Sequence, residues 1–220
     1  MSINAPSKSP VYAYRLGEAL YLNLTSACTL ACSFCPKIRD RDLTLSGFDL
    51  ELKRPPNVEE VWAAALAEGL SGPEVVFTGF GEPTLRLGVL LEVTRRLKGM
   101  GGVNRVRLDT DGLANLREGR DVTPELAAAG LDAISVSLNA PDAESYARIC
   151  PSRYGPEAWH AARRFIASAA RVLPEVAVSC VGLPELSEEA CRRTVEELGV
   201  TFRWRPYDRL GRLRENGGSA

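Results

Sequence analysis

Three of the six cysteines in this 220-residue chain fall in the stretch CTLACSFC, as Cys28, Cys32 and Cys35. The spacing C-x3-C-x2-C sets three potential thiolates on one short loop. Three such ligands can hold three irons of a four-iron four-sulfur cluster, for which thiolate is the usual ligand, and leave the fourth iron open to another molecule. A structural zinc site asks for four ligands, commonly two Cys-x2-Cys pairs. No second pair exists here, and the single histidine, His160, lies within a helical stretch. The odd number of thiols in the loop also argues against a disulfide.

The net charge of −1 gives no basic excess for nucleic acid and no acidic run for a disordered tail. No apolar run reaches the roughly 18 residues of a membrane span. The start, MSINAPSKSP, carries no apolar signal region, so the expectation is a cytoplasmic, reducing setting with no membrane partner, where clustered cysteines bind metal or do redox work. The polar ends, 1–10 and 211–220, are expected to fray, leaving one domain over 11–210.

Those cysteines need a frame. Short β-branched runs alternate with Ala-, Leu- and charge-rich stretches: strands are expected at 19–25, 74–79, 105–110, 133–138, 175–181 and 201–207, and helices at 57–70, 86–100, 123–130, 142–150, 156–173 and 187–199. Asn57 with Glu60, Asp142, and Ser187 ahead of two glutamates read as helix starts; Gly130 and Gly199 read as stops. VYAYRLGEALYLNLT reads as a hairpin turning at Gly17-Glu18. The alternation implies parallel strands with crossover helices, either an open doubly wound sheet or a partial barrel. In both, ligands gather at the strand carboxyl ends. The Cys loop, GFGEPT (79–84), DTDGLAN (109–115), SLNAPD (137–142) and RWRPY (203–207) all fall there.

CTLACSFC, with an aromatic before its last cysteine, resembles the signature of the radical S-adenosylmethionine (SAM) superfamily, and FTGFGEPTL resembles that superfamily's Gly-Gly-Glu-Pro motif. NLTSACTLACSFCPK, GFDLEL, VVFTGFGEPTLRL, ISVSLNAPDAESYARIC and ELGVTFRWRPY resemble, more closely, the TatD-associated (TatD-linked) radical SAM proteins, over nearly the whole span from Tyr21 to Tyr207. The resemblance implies an α/β fold, a partial (β/α)6 TIM-like barrel of parallel strands with an N-terminal hairpin extension. It implies that Cys28, Cys32 and Cys35 hold the cluster, with the open iron taking the amino and carboxylate groups of SAM. Phe34 resembles the aromatic beside the adenine. Gly79, Gly81, Glu82 and Pro83 match the motif that receives the SAM ammonium, with Phe80 inserted between the glycines. Ser137 and Asn139, alternate residues at the end of the fourth parallel strand, are expected to point the same way, and they resemble the pair that bonds the ribose hydroxyls. Phe80, Asp109 and Arg205 are counted among the residues facing the cofactor. The activity implied is reductive cleavage of SAM to a 5′-deoxyadenosyl radical that abstracts hydrogen from an unidentified small-molecule or nucleotide substrate. A flavodoxin or ferredoxin would supply the electron, and a homodimer could close the open side.

Other readings stand beside these. A compact chain also suits an activase that makes a glycyl radical on a partner protein, an enzyme like 7-carboxy-7-deazaguanine synthase, or a metal-binding interaction module that does no SAM chemistry. Asp109 and Asp111 would favour a cationic substrate or be paired with Arg105, Arg107 or Arg203. Arg203 and Arg205 share one strand face, opposite Trp204, and would grip a carboxylate or phosphate, or pair with Asp109, Asp111 or Glu82. Cys150, on the active rim, is either a redox or hydrogen-donor thiol or a small buried apolar one; Cys180 and Cys191 read as core. Trp159 and His160 read as core and surface packing. Residues 36–56 read as a solvated loop or a lid on the substrate side.

Overall fold

Gly17, at φ 57°, and Glu18 turn the chain between β1 (Ala13–Leu16) and β2 (Ala19–Leu22), which pair antiparallel from Ala13↔Leu22 to Leu16↔Ala19. In this computed structural model, which describes residues 9–207, that hairpin opens a seven-stranded sheet. Of the ends expected to fray, only Ser9 and Pro10 are described; both are exposed and outside any element, and the remainder lies outside the described residues.

After the Cys loop come α1 (Pro36–Arg39) and a small hairpin, β3 (Thr44–Leu45) and β4 (Phe48–Asp49). Positive φ at both Ser46 and Gly47 matches the tight turn that two-residue hairpins favour. The chain continues through α2 (Val58–Glu68), β5 (Val75–Phe77), a 3-10 turn (Pro83–Arg86) running into α3 (Leu87–Met100), and β6 (Val106–Thr110). Then follow α4 (Ala114–Glu118), α5 (Thr123–Ala128), β7 (Ala133–Ser137), α6 (Ala143–Ile149), α7 (Glu157–Val172), β8 (Glu175–Gly182), α8 (Glu188–Glu196) and β9 (Thr201–Pro206).

The sheet order is β1-β2-β5-β6-β7-β8-β9, and every pair from β2 onward is parallel. All six expected parallel strands form, in order, and the hairpin stands ahead of them. The first is shorter than expected, ending at Leu22; the next residue, Asn23, still bonds the Tyr12 carbonyl through its backbone, and its side-chain amide donates to the Val11 and Leu50 carbonyls. The expected caps form. Asn57 and Glu60 close a capping box, and Asp142 and Ser187 accept from the backbone at the starts of α6 and α8.

Alternation along the strands sorts the side chains. Leu20, Leu22, Val75, Phe77, Val106, Leu108, Ile134, Val136 and Val178 are buried in one continuous core with the helices. Tyr21, Arg107, Asp109, Ser135, Ser137, Ser179 and Arg205 line the opposite, polar side. On α7, Ala158, Ala161, Ala162, Phe165, Ile166 and Ala169 form the buried stripe. Its alanines admit close approach: a Cβ on Gly112 would stand 3.5 Å from Ala162 and 2.8 Å from Val136.

Phe165 is fully buried in this layer, so Phe165→Ala should cost about 3–5 kcal/mol through lost transfer energy and a residual cavity. Urea unfolding followed by circular dichroism checks this, with the exposed Arg164→Ala expected to stay within about 0.5 kcal/mol of wild type.

Candidate active site at the strand carboxyl ends

The Cys loop is held by its own backbone. Ala27 N–H donates to Thr25 Oγ1 at 3.0 Å, Ala31 N–H to the Pro151 carbonyl at 2.8 Å, and Ser33 N–H to the Ile149 carbonyl at 2.9 Å. Cys35 N–H closes a turn onto the Cys32 carbonyl at 3.0 Å, and the Cys35 carbonyl receives Ile38 and Arg39 at the start of α1. The Lys37 ammonium donates to the Ser26 carbonyl. All three thiols open onto one cavity of about 1360 Å³. Cys28 is the most exposed, but the cavity is recessed and desolvation pushes its thiol up to about 12, against a bond from the Leu30 backbone. Cys32 is raised by its hydrogen bond with Cys150 and by burial, and Cys35 by burial. The thiols therefore rest protonated, and a metal entering here must displace protons.

The glycines of GFGEP have a steric cause. A Cβ on Gly81 would stand 2.0 Å from the Thr25 carbonyl oxygen and 2.6 Å from that of Ala27, so no side chain fits. Gly79 sits at φ 145° against the Asn23 side chain. Glu82 is 2 % exposed. Its Oε1 accepts from Thr84 N–H at 2.9 Å, Thr84 Oγ1 at 2.7 Å and Thr110 Oγ1 at 2.7 Å; Oε2 accepts from Asp111 N–H at 2.7 Å. Oε1 thus carries three of these donors and Oε2 one, with the Asp111 carboxyl beside them. Phe34 and Phe80 line the cavity, while Pro83 is buried behind it at the start of the 3-10 turn.

On the facing wall, Asp111 is buried, accepting from Thr29 Oγ1 and from Leu113 N–H at 2.9 Å. Burial, then the neighbouring Glu82, raise its carboxyl well above the usual range. Asp109 keeps part of its surface open to the cavity and pairs with Arg107, yet desolvation still raises its carboxyl. Of the arginine pairings expected, Arg107 with Asp109 forms, and the others go elsewhere. Arg105 bonds Glu74 at 2.9 Å and Glu175 at 2.7 Å, Arg107 bonds Glu74 at 3.1 Å as well as Asp109, and Arg203 reaches Glu175 at 3.3 Å. Neither Asp111 nor Glu82 takes an arginine among the described residues. Arg205 makes no salt bridge there either, and burial lowers its pKa despite Asp109 nearby.

Ser137 and Asn139 do meet at the cavity, but not through strand alternation. The strand ends at Ser137, and Asn139 is a left-handed residue at φ 59° whose amide donates to the Ser137 carbonyl at 3.3 Å. Cys150 is fully buried beside Cys32, so it does not reach solvent as a rim thiol. Cys180 and Cys191 are both buried, including Cys191, whose helix start looks exposed in the sequence. Trp159 is buried, donating to the Ala140 carbonyl at 3.1 Å, and His160 is exposed. Arg39, Asp40, Asp42 and Ser46, from the 36–56 segment, line the cavity, which places that segment at the mouth.

Sequence reasoning missed Thr29, Thr110, Glu74 and Glu175. Only Thr110 and Thr29 carried a signal, as hydroxyls beside the motifs. Among the described residues no three His, Cys, Asp or Glu side chains converge on a single metal position. Two cavity-lining residues hold buried polar atoms without partners, Asn139 Oδ1 and Arg205 Nε, as a polar ligand would require.

The family profile of the Radical SAM superfamily matches residues 22–198, and the chain belongs to that superfamily. Membership implies a 4Fe-4S cluster and SAM. The chain is similar to the GTP 3′,8-cyclase of Lactiplantibacillus plantarum, 35% identical over 136 residues that cover 61% of this chain and 37% of the cyclase. It is also similar to the GTP 3′,8-cyclase of Synechococcus elongatus, 34% identical over 139 residues, covering 60% and 37%. The match thus spans little more than a third of those relatives. The crystal structure of Streptococcus suis SuiB aligns at a TM-score of 0.61 and 16% identity, over 92% of this chain and 43% of SuiB, a likeness of fold. The sheet is accordingly the partial TIM-like barrel of the superfamily. Among the described residues no helix is long and apolar enough to cross a membrane.

Asp111→Asn keeps both hydrogen bonds, with an amide donating to Thr29, and removes a buried charge. Because the folded carboxyl is raised, its ionisation weakens the fold as pH rises above about 4, the unfolded value. The variant should melt about 2–4 °C above wild type at pH 7.5, the scale of a 1 kcal/mol change, with the gap closing toward pH 4. Scanning calorimetry across that range checks it.

Proposed function

We propose that this chain is a radical SAM enzyme in which Cys28, Cys32 and Cys35 each hold one iron of a four-iron cluster and the fourth iron receives SAM. One observation carries the reading: the three thiols and the GFGEP loop docked on their backbone open together onto a cavity at the carboxyl ends of parallel strands. That cavity exceeds the roughly 300–1,000 Å³ of a drug-sized ligand site, which suits a cofactor and a substrate together. When bound, the cluster and SAM supply reductive cleavage of the sulfonium and hydrogen abstraction from an unactivated carbon.

The chain's own residues position these groups. The Gly79–Pro83 backbone and the Glu82 carboxylate face the SAM ammonium, a charge-assisted contact. Phe34 flanks the adenine. Ser137 and Asn139 Oδ1 take the ribose hydroxyls. Arg205, half-buried with an unpartnered Nε, draws a carboxylate or phosphate, while Asp109 is neutralised by Arg107. The substrate is then a polar, anion-bearing small molecule or nucleotide, and the 36–56 segment closes over it. The relatives' action on GTP sits within this class, although the shared third of their length does not carry it alone. A flavodoxin or ferredoxin supplies the electron in a cytoplasmic setting. The quoted motifs also support kinship with the TatD-linked group.

Anaerobically reconstituted protein given SAM and dithionite should release 5′-deoxyadenosine, and Cys32→Ala should fall to background. Wild-type protein with full iron and sulfide that releases none, even with added cell-extract metabolites, would overturn the reading in favour of a metal-binding module.

A further inference from the structure

The loop that carries the cysteines runs antiparallel to the chain leaving α6. Leu30 bridges Ser152, and the bonds from Ala31 to Pro151 and from Ser33 to Ile149 continue that register. Cys32 therefore stands directly opposite Cys150, between two hydrogen-bonded positions. At such a place opposed Cα atoms are roughly 4.5 Å apart and both side chains leave on the same side. The two thiols accordingly face one another, and Cys150 is the leading influence that raises Cys32. Cys150 has a second fixed neighbour: Asn139 Nδ2 lies 3.8 Å from its Sγ. Asn139 is itself buried and locked in the left-handed region.

The direction of these contacts follows from proton counting. A cysteine bound to iron has lost its proton. The only S–H between the two sulfurs is then that of Cys150. The Asn139 amide can only donate through nitrogen, so Cys150 accepts on that side and donates on the other. The sequence of donors is Asn139 N–H to Cys150 sulfur, and Cys150 S–H to Cys32 sulfur.

We propose that Cys150 is a positioning residue that donates its S–H to the iron-bound sulfur of Cys32 and so raises the reduction potential of the cluster, with Asn139 fixing its direction. Hydrogen bonds to ligand sulfurs stabilise the more negative, reduced cluster. The arrangement also lets one amide serve two groups, its nitrogen turned to Cys150 and its oxygen left for the cavity. This inference rests on the three-cysteine cluster proposed above.

The test is a redox titration of the reconstituted cluster, followed by electron paramagnetic resonance without SAM, on wild type, Cys150→Ala and Cys150→Ser. The Ala variant should have a lower midpoint potential at equal iron and sulfide content. The Ser variant, which keeps a donor, should match or exceed wild type. Equal potentials and spectra for Ala and wild type would overturn the proposal, as would Ala and Ser shifting downward together, the mark of a packing effect. If Ala loads poorly, Ser against wild type decides: a lower Ser potential rejects the hydrogen bond. Wild type that fails to take up four irons and four sulfides would instead overturn the cluster itself.

Discussion

The site depends on one buried carboxylate. Glu82 gathers four donors from Thr84, Thr110 and Asp111, and its own N–H reaches back to the Ala27 carbonyl at 2.8 Å. Three chain segments meet at that point: the loop carrying Cys28, the turn after β5, and the end of β6. Each buried donor left without an acceptor costs about 1–3 kcal/mol, so the group acts as a clasp that strand pairing alone does not provide. Gly81 makes the clasp possible, because any side chain there would drive the turn off the Thr25–Ala27 backbone.

Charge is distributed to suit. From Asp109 through Arg107, Glu74, Arg105 and Glu175 to Arg203, acid and base alternate as a ladder across the inner wall. Those groups largely cancel one another. Arg205 stands outside the ladder with a buried, unpartnered nitrogen, and Asp111 is held by neutral donors. The wall is polar throughout but spends its unbalanced charge at few points, which is how a cavity recognises a polar ligand without being electrostatically indiscriminate.

Much of this was legible in the sequence, and the remainder divides by physical cause. The six parallel strands and main helices follow from local periodicity, and Asn57, Asp142 and Ser187 mark helix starts through bonds made within three residues. Cys28, Cys32 and Cys35 declare themselves by spacing. Contacts that depend on register are legible only in part: of the pairings expected with Asp109, Asp111 and Glu82, Arg107 meets Asp109, whereas Arg105 and Arg203 go to Glu74 and Glu175. Asn139 was read by strand alternation, yet it reaches the cavity by leaving the strand in a left-handed conformation. For Cys150 both an active-rim and a buried reading were open, and the buried one holds because the bridge between Leu30 and Ser152 brings it against Cys32. The short helices α1 and α4 are too brief to leave a periodic trace.

The stitching of the Cys loop to the segment after α6 has a consequence for assembly. In a zinc finger the ion organises the chain, and its binding energy is spent as folding energy. Here the loop takes its shape from backbone bonds to Ile149 and Pro151 and from a large apolar core elsewhere. A cluster delivered to this loop would meet a receptacle already formed, so the energy of ligation would go to retention of the cargo. Loss of the inorganic part and loss of the fold would then be separate events.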